Sequence, residues 1–231
     1  MFPIKDSIKS SKPPYVLYAI IALNVAIFVY EISLNRSDLV IFVHRFGLVP
    51  SRYTEGRIIV QGSYEMTVKQ LNFIPFLSST FMHGGWLHII TNMWTLFVFG
   101  DNVESKLGHI RFLIYYLTWG VLANVIQFSF MSNSNIAILG ASGCVAGVMG
   151  AYLYYFPWSR ILTLVPIFFF PLLFEVPAYF YLVLWFFLQF FNGIFKVTSA
   201  GSAGVAWWAH IGGFIFGLLM AWSLARRRGE T

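Results

Sequence analysis

The chain has 231 residues, 58% of them in the apolar and aromatic set AVILMFWYC, 19% aromatic and only 10% charged. Soluble domains carry about 25% charged residues, and a fold of this size cannot enclose so much apolar surface, so composition excludes an ordinary soluble domain and, equally, a disordered chain. The single cysteine, Cys144, excludes a disulfide framework and a cysteine-based zinc site, which leaves an integral membrane protein.

Charges are sparse enough to mark the membrane spans. A bilayer-crossing helix needs roughly 20 mostly apolar residues. Runs free of Asp, Glu, Lys and Arg cover 18 residues at 13–30, 31 at 70–100, 48 at 112–159, 20 at 176–195 and 29 at 197–225. The longest run holds two spans, separated by Ser132-Asn133-Ser134-Asn135 and by Gly140-Ala141-Ser142-Gly143, both with turn composition. The spacing therefore predicts six spans, at 14–33, 86–104, 110–130, 141–156, 176–195 and 205–225. Residues 161–174 are apolar but carry Pro166 and Pro171, with Pro177 following, so a straight helix is disfavoured and the segment reads as interfacial or re-entrant. A seventh span there would place Arg226-Arg227-Arg228 across the membrane from Lys5, Lys9 and Lys12, against the positive-inside rule.

The organisation expected is a cytoplasmic tail at 1–13, a six-span domain at 14–225 and a basic cytoplasmic tail at 226–231. The first apolar run ends in Glu31-Ile32-Ser33-Leu34-Asn35 without a small-x-small cleavage site, so it reads as a retained span. A multi-pass protein of the cell membrane, in a prokaryotic plasma membrane, is the expectation. The net charge of +6 has a topological origin, because 9 of the 15 Lys and Arg residues fall in the predicted cytoplasmic segments. Anionic lipid, rather than nucleic acid, is the matching partner.

Polar residues inside spans flag function. With the N-terminus inside, spans two, four and six all run from outside to inside. His83 precedes span two, His88 and Asn92 occupy its first two turns, and Ser142 opens span four. His210 lies roughly 7–8 Å below the outer end of span six at a rise of about 1.5 Å per residue. Polar side chains on three helices thus share one depth, in the outer third of the membrane. His88 and Asn92, at i and i+4, share a helical face. Gly143, Gly147 and Gly150 follow Ser142, and Gly213 and Gly217 follow His210. Small residues at such spacing let backbones approach, which would bring Ser142 and His210 within hydrogen-bond reach. Taken singly, Ser142 reads as an N-cap, His210 as a structural histidine and Asn92 as interhelical glue; their joint depth favours a site.

The pattern His83-x4-His88-x3-Asn92, then Gly140-Ala141-Ser142-Gly143, then Ala209-His210-Ile211-Gly212-Gly213-x3-Gly217 resembles the rhomboid intramembrane serine proteases, as does Gly100-x3-Glu104-x3-Gly108. The resemblance covers about 76–222. It implies an all-α, six-transmembrane-helix bundle with a long first external loop (34–85) lying partly in the membrane. It also implies an intramembrane serine endopeptidase acting on single-pass or multi-pass transmembrane proteins, without metal or other cofactor. Ser142 would be the nucleophile and His210 the general base. His88, Asn92 and the Ser142 backbone N–H would form the oxyanion hole, with His83, Gly140, Gly143, Gly213 and Gly217 in supporting roles.

None of the nine acidic residues falls in the outer part of span two, four or six. The sequence thus argues for a dyad, with any group orienting His210 coming from the first loop or from a backbone carbonyl. Where many family members carry an aromatic residue against the catalytic histidine, this chain has Ala146; Trp207, Trp208 or Tyr152 are the candidates to replace it. The family's Trp-Arg pair in the first loop is also missing, since no Trp precedes Trp86. Ser132–Asn135 and Gly201–Gly204 are expected to line an outward-facing cavity, and substrate to arrive laterally between spans two and five. An inactive helix-binding relative should lack the serine or the histidine. A transporter should show internal repeats, and a His-Glu-x-x-His metalloprotease should carry the glutamate that the His83–His88 pair lacks.

Overall fold

A computed structural model describes residues 1–55, 57–60, 64–67, 72–167, 170–197 and 205–229, with backbone only at 57–60, 64–67, 166–167, 170 and 196–197. Five long helices and one shorter one carry the fold: α1 (Tyr15–Ser33), α5 (Trp86–Leu107), α6 (His109–Phe130), α7 (Ser142–Tyr155), α8 (Ala178–Val197) and α9 (Trp207–Arg227). All six agree with the expected spans to within three residues. Four of them, α1, α6, α8 and α9, are long and apolar enough to cross a bilayer. Asp101, Glu104 and Lys106 lower the apolar character of α5. At 14 residues, α7 extends only about 21 Å at a rise of 1.5 Å per residue, shorter than a hydrocarbon core.

The described residues between α1 and α5 form short elements: α2 (Arg36–Phe46), α3 (Ser51–Thr54), strands β2 (Arg57–Val60) and β3 (Tyr64–Thr67), α4 (Pro75–Ser78) and a 3-10 turn at Ser79–Phe81. Asn35 caps α2 by accepting the Asp38 backbone N–H. In place of a Trp-Arg pair, this loop is held by polar ties and rings. The Ser51 hydroxyl donates to Asn135 Oδ1 at 2.6 Å and Ser78 to the Phe46 carbonyl at 2.6 Å. Leu48 and Ile138 form an antiparallel bridge. Tyr53, Phe76 and Phe128 meet edge-on or tilted in one aromatic cluster.

Two of the helices are fused through glycine. An ideal Cβ at Gly217 would lie 1.9 Å from the Gly147 carbonyl oxygen, one at Gly213 2.1 Å from that of Gly143, and one at Gly150 2.1 Å from that of Phe214. The backbones of α7 and α9 therefore touch, and no side chain could stand between them. Ten of the fourteen α7 residues, Gly143 to Tyr152, are buried. α5, α6, α8 and α9 surround it, and the indole of Trp119 from α6 covers Gly147.

The remaining element is a sheet. β1 (Phe2–Asp6) pairs antiparallel with β4 (Arg160–Ile167), which forms an antiparallel hairpin with β5 (Phe170–Pro177). The segment expected to be interfacial or re-entrant is thus a β-hairpin, as its prolines and β-branched residues allow. Its partner strand comes from the expected N-terminal tail, so residues 2–6 are part of the fold. Proline lacks an N–H, and Pro3 sits on an edge strand where none is needed. The Asp6 carboxylate accepts the Tyr152 hydroxyl at 2.5 Å and the Asn102 amide at 2.8 Å. Burial raises the Asp6 pKa above its ordinary value, with the Tyr152 bond acting in the opposite sense. Close by, Glu104 accepts the backbone N–H groups of Val16 and Leu17 at 3.0 and 2.7 Å and holds His109. It joins the first turn of α1 to the α5–α6 corner, where Gly108 takes a φ of +85°.

Candidate active site

At the opposite end of the bundle, α5, α7 and α9 all begin around one cavity of about 910 Å³. His88 and Asn92 from α5, Ser142 from α7 and His210 from α9 line it together, with Gln127 from α6. Three helix N-termini converge there, so the aligned peptide dipoles favour negative charge in the cavity. Of the expected lining, Ser134 is present, whereas Gly201–Gly204 lie outside the described residues.

Ser142 is the first residue of α7, a position where backbone N–H groups have no partner within the helix. Gly140, two residues earlier, has a φ of +124°, which favours glycine. Space demands it as well. A Cβ there would sit 2.7 Å from His88 Nε2 and 3.8 Å from Asn92 Nδ2. The ends of both α5 side chains therefore converge on the turn that leads into Ser142. The Gly84 N–H donates to His88 Nδ1 at 3.4 Å; Nδ1 is then the acceptor nitrogen, and Nε2 carries the proton toward Gly140. Asn92 is 7% exposed, and its amide nitrogen has no hydrogen-bond partner among the described residues.

His210 has the opposite tautomer. Its Nδ1 lies 2.8 Å from Gln189 Oε1 of α8. An amide oxygen can only accept, so Nδ1 bears the proton and Nε2 the lone pair. The ring packs on Trp185 at 5.9 Å and edge-on to Trp207 at 6.0 Å. Trp207 was among the expected substitutes for an aromatic at position 146. Trp208 instead stacks on Phe130, and Tyr152 lies at the other end of the bundle, on Asp6. Ser142 and His210 are neighbours through their helices, because a Cβ at Gly143 would lie 3.7 Å from the Ala209 carbonyl oxygen. The two side chains share the cavity wall, and no hydrogen bond joins them among the described residues. Such bonds are often long in empty sites and tighten around substrate.

His83 stands behind the cavity. It is 4% exposed, its ring meets His88 edge-on at 5.1 Å, and its backbone N–H donates to the buried carboxylate of Glu31 at 3.1 Å. Burial, reinforced by His88, pushes its pKa down to about 4, so it is neutral. Gly143 and Gly213 close the α7–α9 contact directly beneath the site, and Gly217 does so one turn further on. Sequence reading missed Gln189, Gln127 and Trp185. The signal for Gln189 was present, as an amide in a span rich in Phe and Leu. Neither a first-loop carboxylate nor a backbone carbonyl takes His210 Nδ1; the side-chain amide does.

Fold and cavity define a helical membrane protein in which polar groups from several helices meet in one pocket. The chain belongs to the rhomboid family: a model described as the Rhomboid domain matches residues 70–227. It is 26% identical over 224 residues to Rhomboid protein 1, mitochondrial, of Saccharomyces cerevisiae, covering 93% of this chain and 54% of that protein. It is likewise 26% identical over 238 residues to RHOMBOID-like protein 4 of Arabidopsis thaliana, covering 93% and 53%. With Rhomboid-like protein 11, chloroplastic, of the same plant it shares 34% identity over 73 residues, 32% of this chain and 26% of that one. The chain thus spans about half or less of the length of these relatives.

Proposed function

We propose that this protein is an intramembrane serine endopeptidase that cleaves transmembrane protein substrates through a Ser142–His210 dyad. The observation that carries the reading is the convergence of Ser142, His210, His88 and Asn92, from three helices, on one cavity. The opposite tautomers of the two histidines add to it, since one presents a lone pair and the other a proton.

In this mechanism the Ser142 hydroxyl attacks the substrate carbonyl carbon while His210 Nε2 takes its proton. The carbonyl oxygen becomes an oxyanion and accepts hydrogen bonds from His88 Nε2, Asn92 Nδ2 and the Ser142 backbone N–H. As the C–N bond breaks, His210 returns the proton to the departing amine. Water then attacks the acyl-enzyme ester with His210 again as base, releasing the acid and restoring Ser142. No metal or cofactor takes part. His83 supports His88 from behind.

The proposed topology is six spans, with α5 and α7 as spans two and four, both termini cytoplasmic and the cavity toward the external face of the cell membrane. Substrate helices approach between α5 and α8 and unwind locally, since a peptide bond in a helix is shielded by its neighbours. The deciding experiment reconstitutes the protein in liposomes with a transmembrane substrate and compares Ser142→Ala and His210→Ala with the parent. Cleavage and fluorophosphonate labelling in the parent, both lost in Ser142→Ala, are the expected results. Undiminished cleavage by Ser142→Ala would overturn the mechanism, and a parent that neither cleaves nor labels would point to a helix-binding role.

A further inference from the structure

The group that orients His210 comes from α8, a helix that contributes no proposed catalytic residue. Gln189 is 8% exposed, and its side-chain oxygen lies 2.8 Å from His210 Nδ1. One turn earlier on the same helix, Trp185 packs against the same imidazole at 5.9 Å. Residues at i and i+4 share a helical face, so α8 presents an acceptor and a flat ring together. Asn192, the other amide of this helix, spends its N–H on the Leu188 carbonyl of its own turn. Gln189 alone of the two reaches across to α9.

We propose that Gln189 is the positioning residue of the dyad: its side-chain carbonyl accepts the His210 Nδ1–H, fixes the tautomer and turns the Nε2 lone pair toward Ser142. This role rests on the reading of His210 as general base. A general base must hold both its protonation pattern and its direction before substrate arrives, and an unheld imidazole divides its time between two tautomers, one of which cannot accept the serine proton. In serine proteases with a triad, a carboxylate supplies this hold and also stabilises the imidazolium. A neutral amide supplies direction without charge. His88 is the other titratable side chain lining the cavity, and α6 and α7 face it with Gln127 and Ser142, which carry no charge.

The test uses two near-isosteric variants in the reconstituted protein. Gln189→Met keeps the volume and loses the carbonyl; Gln189→Glu keeps an acceptor oxygen and adds charge. Nitrogen-15 chemical shifts of labelled histidine, assigned to His210 by their loss in His210→Ala, report the tautomer directly. The parent is expected to show Nδ1 protonated, and Gln189→Met a mixture. With a transmembrane substrate, Gln189→Met should lower kcat at least about tenfold at unchanged KM, a part of the 10²–10⁴-fold that a positioned base supplies. Gln189→Glu should recover kcat at alkaline pH, with the acidic limb of its pH profile moved up by about one unit or more, because an adjacent anion favours imidazolium. A Gln189→Met variant with parental kcat and a parental His210 tautomer would overturn the proposal. Should Ser142→Ala cleave as well as the parent, the protease reading fails, while the nitrogen shifts still judge the Gln189–His210 bond on its own.

Discussion

The α7–α9 pair and α8 are built on opposite plans. In the pair, backbone meets backbone at Gly143, Gly147, Gly150, Gly213 and Gly217, with only small side chains such as Ala146 and Ala209 beside them. In α8, Tyr179, Phe180, Val183, Phe187, Leu188, Phe191, Ile194 and Phe195 are exposed, and ring contacts such as Phe186 and Trp185 on Phe214 tie it to α9. By physical reasoning the first interface is stiff and intolerant, since close-packed backbone cannot yield. The second is a surface of interchangeable aromatic contacts turned partly to lipid. Ser142 and His210, the proposed nucleophile and base, ride on the stiff pair, whereas Gln189, proposed to aim that base, rides on the adaptable helix.

The largest expected effect follows from the stiff side. Gly217→Leu would drive a side chain into the Gly147 carbonyl, where no flexible neighbour can move aside. Overpacking of a core costs about 1–3 kcal/mol and more when backbone must shift. We expect no folded protein, read as loss of a cooperative thermal transition in detergent and of fluorophosphonate labelling. A stable, active Gly217→Leu would show that the two helices can separate without harm, and the comparison would collapse.

Next comes the chemistry seated on that scaffold. Asn92→Ala removes one buried donor beside Gly140 and leaves the packing of α7 on α9 untouched. Under the proposed role of Asn92 as an oxyanion donor, whose loss costs about 10²–10³-fold in kcat, a drop of that order with an unchanged melting temperature is expected. Equal losses of stability and activity would instead make Asn92 a packing residue.

These contrasts also explain what could be read without coordinates. Charge-free runs located all six helices, because burying charge in lipid is costly and the rule acts residue by residue. The shared depth of His88, Asn92, Ser142 and His210 was legible because helix rise is fixed. Their meeting at one cavity was foreshadowed by the glycine spacing, which specifies a contact face. The hairpin at 160–177 was legible only as a segment that is not a straight helix. Its pairing with Phe2–Asp6 joins strands more than 150 residues apart, and no local pattern encodes a partner so distant. Gln189 escaped for a similar reason. An amide in an apolar helix announces a partner without naming it, and His210 is reached only once α8 is laid against α9.

A smaller effect is expected at the end of the bundle opposite the cavity. Asp6→Ala removes one acceptor each from the Tyr152 hydroxyl and the Asn102 amide, which keep contacts with Ser159 and with the Ile8 carbonyl and Asp101, so the cost is about 0.5–1.5 kcal/mol per bond lost. Asp6→Asn keeps an acceptor oxygen and removes the titration. Because burial raises the Asp6 pKa in the folded protein, docking of β1 is strongest below the ordinary carboxylate value and weakens as pH rises through the raised one. Asp101 lies beside it and adds a like charge. The parent should therefore lose melting temperature across that rise, and Asp6→Asn should lose less. An identical pH slope in the two proteins would assign the titration to another group.

The smallest effect belongs to the lipid face of α8 and tests the adaptable side of the comparison. Phe187 and Phe191 are 50% and 52% exposed, and in a bilayer their exchange for Leu trades one apolar contact with acyl chains for another. Their ring contacts are with Phe186, Phe190 and Phe195 of the same helix, so stability should change by no more than about 0.5 kcal/mol, as at other surface positions. Activity need not be so indifferent, because the same helix carries Trp185 and Gln189 against His210. If α8 must shift to admit a substrate helix, trimming its outer face alters how readily it moves, and KM should respond while the chemical step does not. A Phe187→Leu/Phe191→Leu double variant with parental melting temperature and altered KM would confirm that access resides on α8. The same variant with a lowered melting temperature and altered kcat would place α8 with the stiff pair.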